Sequence, residues 1–122
     1  MTTPAERLRA LRQAEELLDR IDADPQLPDI VRQRAHDIVL CFPSQQELLV
    51  GRMTPGATLS SSAAQAIFDA GVFLAALGWR DIVDTDVRLL LETVMRHYPT
   101  DRDGWQSASS LLAMPVNELL AG

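Results

Sequence analysis

Val87–Thr100, VRLLLETVMRHYPT, repeats the outline of an earlier stretch, Val31–Ser44, VRQRAHDIVLCFPS, and this pairing decides the fold. Both stretches begin Val-Arg and place apolar residues at matching offsets. Both then reach an aromatic, a proline and a hydroxyl residue, Phe42-Pro43-Ser44 and Tyr98-Pro99-Thr100. The step from Val31 to Val87 is 56 residues. The same step carries Ala10 onto Ala66, Ala14 onto Ala70, Leu18 onto Leu74 and Ile21 onto Leu77 without a gap. The chain therefore reads as two copies of one helical unit, about residues 3–53 and 59–113, in a single helical domain spanning 1–122.

Helix signals bracket each element. Thr3-Pro4-Ala5-Glu6 offers a capping hydroxyl, a proline at the first helical position and a glutamate that closes a capping box. Leu8, Leu11, Ala14, Leu18 and Ile21 follow on one face, and the helix should stop in Asp22-Ala23-Asp24-Pro25. A second helix begins near Pro28, carries Val31, Ala35, Ile38 and Phe42 on one side, and ends at Pro43, since a residue before proline avoids helical geometry. Ser44-Gln45-Gln46-Glu47 reads as another capping box, opening a short helix with Leu48, Leu49 and Met53 as candidates for burial. Thr54–Thr58 has the turn chemistry of a linker.

The fourth helix, from Ser60–Ser62 to about Leu77, has Gln65 and Asp69 as its only strongly polar residues. That pattern predicts a place at the centre of the bundle. Gly78 and Trp79 read as its C-cap. A fifth helix should run from near Asp84 to Tyr98, and a sixth from about Thr100 with Trp105, Ala108 and Leu112 on one face. Pro115 should open a last turn carrying Val116, Leu119 and Leu120. No stretch alternates with period two over a strand's length. The expected architecture is all-α: a compact bundle of about six helices plus a C-terminal turn, in two three-helix units related by a pseudo-twofold axis.

The opening Met1-Thr2-Thr3-Pro4-Ala5-Glu6-Arg7, the leucine-rich helix after it and the later Arg96-His97-Tyr98-Pro99-Thr100 resemble a family of short proteobacterial proteins of uncharacterised role. Its members begin Met-Thr-Thr-Pro-x-Glu-Arg and reach Arg-His-Tyr-Pro before a last helix, so one member would correspond to about Met1–Val50. The first unit has Leu40-Cys41-Phe42-Pro43 where that motif would stand, and the second keeps it at Arg96–Pro99. The resemblance supports a duplication and implies no activity.

The formal charge of −6 disfavours non-specific nucleic-acid binding and suits a protein partner with a basic or neutral surface. All 11 basic residues are arginines, which a GC-rich coding bias explains most simply. The N-terminus lacks the apolar run of a signal peptide, and the most apolar segment, about ten residues near Ala70–Trp79, falls short of the ~20 a membrane span needs. A cytoplasmic location with no membrane association is expected.

Little in the chain points to catalysis, a cofactor or a metal. Cys41 is the sole cysteine and is read as buried or partly buried; His36, five residues away, is off its face. One cysteine and two histidines are too few for a zinc site. Asp101-Arg102-Asp103-Gly104 lacks the later ligands of a calcium loop and reads as a helix start. An enzyme would have to use His97 and Tyr98, whereas the expected place of Tyr98 is the core, like Phe42. The helix–Pro43–helix segment at 31–53 resembles a helix-turn-helix of a small transcriptional regulator, but Arg52 is the only cation in Phe42–Met53.

Charge placement is the remaining clue. Arg7, Arg9 and Arg12 crowd the positive end of the first helix, while Glu15, Glu16, Asp19 and Asp22 crowd its negative end, against the dipole. Pairing of these acids with Arg32 and Arg34 is one account; an acidic surface for a partner is the other. Asp81, Asp84 and Asp86 fall 56 residues after Pro25, Pro28 and Ile30, so with Asp19, Asp22 and Asp24 each unit carries an acidic loop at the same corner. Arg96 and His97, at a helix C-terminus, are candidate contacts for an anion or a peptide. The expected function is a non-catalytic protein that inhibits or neutralises a protein partner, with self-association through Trp79 or Trp105 a related possibility.

Overall fold

The computed structural model describes residues 3–77, 84–98 and 114–121. Among them are five helices and a short sixth: α1 (Pro4–Ala23), α2 (Asp29–Cys41), α3 (Gln45–Met53), α4 (Ser61–Leu77), α5 (Thr85–His97) and α6 (Val116–Ala121). No strand occurs among the described residues; the sole extended pairing is an isolated bridge between Thr58 and Pro115. The chain is all-α. The helix expected over 100–113 and the Gly78-Trp79 cap lie outside the described residues. The C-terminal segment expected as a turn is a helix.

Local chemistry sets the boundaries. The Thr3 Oγ1 accepts from the Glu6 N–H at 3.1 Å and the Glu6 Oε1 accepts from the Thr3 N–H at 3.0 Å, so the capping box is complete. At α3 half of the box forms: Ser44 Oγ accepts from the Glu47 N–H at 3.1 Å. Asp84 caps α5 by accepting from the Asp86 and Val87 N–H groups. Between α3 and α4 the Ala57 N–H reaches the Thr54 carbonyl, with Gly56 at φ +78°. Pro55 and a left-handed residue behind it make a type II turn. The Ala57 carbonyl then accepts from the Val116 N–H at 2.7 Å, tying this linker to the entry of α6.

The 56-residue step survives folding. Asp29–Cys41 and Thr85–His97 are the same span shifted by that step, and both end on a capping aromatic with nearly equal dihedrals, Phe42 at φ −68°, ψ 135° and Tyr98 at φ −70°, ψ 139°. Burial follows: Ala10, Leu11, Ala14, Leu18 and Ile21 in α1 match Ala66, Ile67, Ala70, Leu74 and Leu77 in α4, all buried. By their contacts these helices follow the ring order α1, α2, α4, α5, and the end of α5 meets the start of α1, so that pair runs antiparallel. The sides of the ring are unequal. α1 packs extensively on α2 and on α5, whereas α4 packs moderately on α2 and only slightly on α5.

Among the described elements α4 does not have the most neighbours, although its composition predicts a central place. Helix α1 does, packing on α2, α3, α5 and α6. Helix α4 buries one stripe and leaves Val72 53% exposed on the other side. Overall apolarity measures how much surface could be buried; the number of neighbours depends on which stripe faces which helix. Met53, 81% exposed, is a second correction: α3 meets α1 and α6 through Leu48 and Gly51, and Met53 lies about 200° around the helix from Gly51. No described helix is long and apolar enough to cross a membrane.

Candidate functional site: the two ends of the α1–α5 pair

Because α1 and α5 run antiparallel, the residues singled out in the sequence sort to opposite ends of one face. At one end α1 finishes and α5 starts, and Arg20, Ala23, Asp24, Asp84 and Val87 line a shallow groove of about 420 Å³. One acid from each half, Asp24 and Asp84, therefore lines the same groove. Asp19 stands one turn before Ala23 on α1, and Asp86 flanks Asp84 on α5; both are exposed and neither makes a side-chain bond among the described residues. Asp81 lies outside the described residues.

Several of these carboxylates already have structural work. Asp24 Oδ1 accepts from the Gln26 N–H at 2.9 Å, closing the turn after α1, and Asp84 caps α5. Glu16 pairs with Arg20 one turn on, at 3.7 Å. Asp22 Oδ2 lies 3.0 Å from His36 Nδ1 on α2. The expected pairing with Arg32 and Arg34 takes a different form. Arg32 Nε donates to the Asp22 backbone carbonyl at 3.2 Å and its guanidinium faces Asp29, while Arg34 lies along the groove between α2 and α4. Glu15 is half-buried, and desolvation, with the Asp19 charge a smaller cause, raises its pKa above the ordinary carboxylate value.

At the other end, about 20 Å along α5 by its 13 residues, α1 begins and α5 finishes. His97 Nε2 is 3.1 Å from Glu6 Oε2. The two Thr3 hydrogen bonds, from its backbone first and its hydroxyl second, pull the Glu6 pKa below the usual carboxylate value against an opposing desolvation, and His97 adds a smaller push. Glu6 thus closes the α1 cap with one oxygen and holds the end of α5 with the other. Arg9 and Arg96 line a cleft of about 110 Å³ beside this pair, with Ala10, Gln13 and Thr93.

Tyr98 is turned away from both ends. It is 2% exposed, and its hydroxyl donates to the Ile67 carbonyl of α4 at 2.6 Å. Burial, with the Asp69 charge secondary, drives its pKa well above the ordinary phenol value. Cys41, expected inside, is exposed: Phe42 takes the core position one turn after Ile38 and leaves Cys41 at the rim of the α2–α4 groove. The exposed positions of α3 include one cation, Arg52, beside Val50 and Met53, a poor surface for a phosphate backbone. Among the described residues no three His, Cys, Asp or Glu side chains group to hold a metal ion. Trp79 and Trp105 lie outside the described residues.

Sequence reasoning missed Arg7, which is 2% exposed in the interior beside the capping box. The signal was present: Arg7 falls on the buried stripe through Ala10, Leu11, Ala14, Leu18 and Ile21, and its 56-residue counterpart is the buried Ala63. Comparison of the chain with protein-family models, curated proteins and solved structures gives no match.

Proposed function

We propose that this is a non-catalytic, cytoplasmic protein-binding module whose acidic α1–α5 end docks on a basic protein surface and inhibits or neutralises its owner. An accessory or mobile-element protein of the anti-defence (anti-CRISPR-like) or toxin-immunity type has this character. The observation that supports it best is that Asp24 from the first half and Asp84 from the second line one groove, with the exposed acids Asp19 and Asp86 near them in sequence. The exposed acid Asp19, near the C-terminal end of α1, works against the helix dipole, and complementary charge across an interface speeds encounter and fixes register.

The test is affinity capture from host extract with the wild type and with D19K/D86K. The expected result is a stoichiometric, salt-sensitive partner with a basic surface that the variant no longer retains. No stoichiometric partner, or one that D19K/D86K holds equally well, removes the reading.

The two halves also fit an ancestral duplication about a pseudo-twofold axis, supported by the shared span of α2 and α5 and the matched burial of α1 and α4. An experimental structure in which residues 29–42 and 85–98 cannot be exchanged by one rotation that also exchanges α1 with α4 would sink it.

A further inference from the structure

The geometry points to an oxyanion-binding site in the cleft between the start of α1 and the end of α5, with Arg9 and Arg96 as its ligands. Both arginines line the same small cleft, yet neither makes a hydrogen bond or ion pair among the described residues. Among the described lining residues the one carboxylate, Glu6, is committed: Oε1 accepts from the Thr3 N–H and Oε2 faces His97. Two exposed arginines beside one cleft, with no counterion bonded to either among the described residues, repel each other, and a bound anion converts that repulsion into attraction. The size suits a single charged group. The cleft, about 110 Å³, has room for a small oxyanion such as one carboxylate or phosphate.

Arginine matches this chemistry, because its planar fork meets carboxylate or phosphate oxygens in bidentate fashion. Gln13 adds an amide that can donate from the α1 side, and Ala10 leaves the floor open. The site also accounts for Arg9 standing near the positive end of α1, where a cation costs helix stability. It lies at the opposite end of α1–α5 from the acidic groove and does not depend on the protein-docking reading.

The test is an NMR titration of the full chain with sodium phosphate and, separately, sodium acetate, each against sodium chloride at matched ionic strength. Saturable shifts of the Arg9 and Arg96 side-chain N–H signals are expected with at least one of the two oxyanions, and the tighter one tells phosphate from carboxylate chemistry. R9Q and R96Q should each weaken binding about ten- to a hundredfold, the loss of one charge-assisted contact, and R34Q, in the α2–α4 groove, should leave it unchanged. R9Q/R96Q should melt no lower than the wild type without phosphate and should lose the rise in Tm that phosphate gives the wild type. Shifts matched by chloride, binding retained in R9Q and R96Q, or a double variant less stable than the wild type without anion would each overturn the assignment.

Discussion

Helices α1 and α4 stand 56 residues apart and bury corresponding residues, Leu11 and Ile67, Ala14 and Ala70, Leu18 and Leu74, Ile21 and Leu77. Their neighbourhoods nevertheless differ. Charged α1 packs on α2, α3, α5 and α6, while apolar α4 packs on α2 and, slightly, on α5 among the described elements. The difference lies partly in the acids of α1. Glu6 reaches His97 of α5 and Asp22 reaches His36 of α2, so carboxylate–imidazole pairs fasten both ends of α1 to its two long neighbours.

The comparison breaks first at the matched leucines. Leu18 and Leu74 are 0% and 1% exposed, and truncating either should cost about 2–5 kcal/mol. If α1 is the hub, urea unfolding should show Leu18→Ala losing more than Leu74→Ala; the reverse order would return the central place to α4. A smaller loss is expected at Gly51, where α3 meets α6. A Cβ there would stand 2.9 Å from Val116 Cγ2 and 3.1 Å from both Cβ and Cγ1. Alanine gains roughly 1 kcal/mol of helix propensity, but overpacking costs about 1–3 kcal/mol. Gly51→Ala should therefore lower stability or leave it flat, and adding Val116→Ala should recover part of the clash, visible as non-additivity in a double-mutant cycle.

The two capping aromatics sharpen the comparison further. Tyr98 donates to α4 and Phe42 has no hydroxyl to place, so Tyr98→Phe should cost about 1 kcal/mol. Because the folded phenol's pKa is raised, its stabilising contribution is intact below about pH 10 and is lost as pH climbs and unfolded tyrosine ionises first. Stability measured across that range should fall with pH in the wild type, and Tyr98→Phe should remove this group's share of the fall.

The smallest effects come from α1's own acids, and they carry opposite signs. Glu6 has a lowered folded pKa, so Glu6→Gln should destabilise above pH 4.5, with the deficit closing as pH falls through the folded value below it. Glu15 has a raised one, so Glu15→Gln should stabilise slightly at neutral pH, with the gain vanishing below pH 4.5. Chemical denaturation at pH 7 and pH 3.5 separates the two; equal signs at pH 7 would discredit the assignment of Glu6 as a clamp.

Much of this was legible in advance because it is local. Thr3 with Glu6, Ser44, Asp84, and the prolines after Phe42 and Tyr98 act within one turn of themselves, and each marked its helix end correctly. The 56-residue step also foresaw the burial of Tyr98, since Phe42 set the pattern. The candidate site was legible only as a set of residues. Arg96 and His97 were named beside the acids, but nothing in their spacing said that α1 and α5 lie antiparallel and send acids to one end and Arg9 with Arg96 to the other.

The positions of the described helices, with the caps at Thr3, Ser44 and Asp84, were written in the sequence by itself, because hydrogen bonds over three or four residues and a 3.6-residue apolar period need no distant partner. Which described helix has the most neighbours, why Cys41 and Met53 are outside, and where Asp24 and Asp84 come to share a groove were decided by tertiary structure alone. Those outcomes depend on which stripe meets which across the ring, a choice made by contacts between residues far apart in the chain.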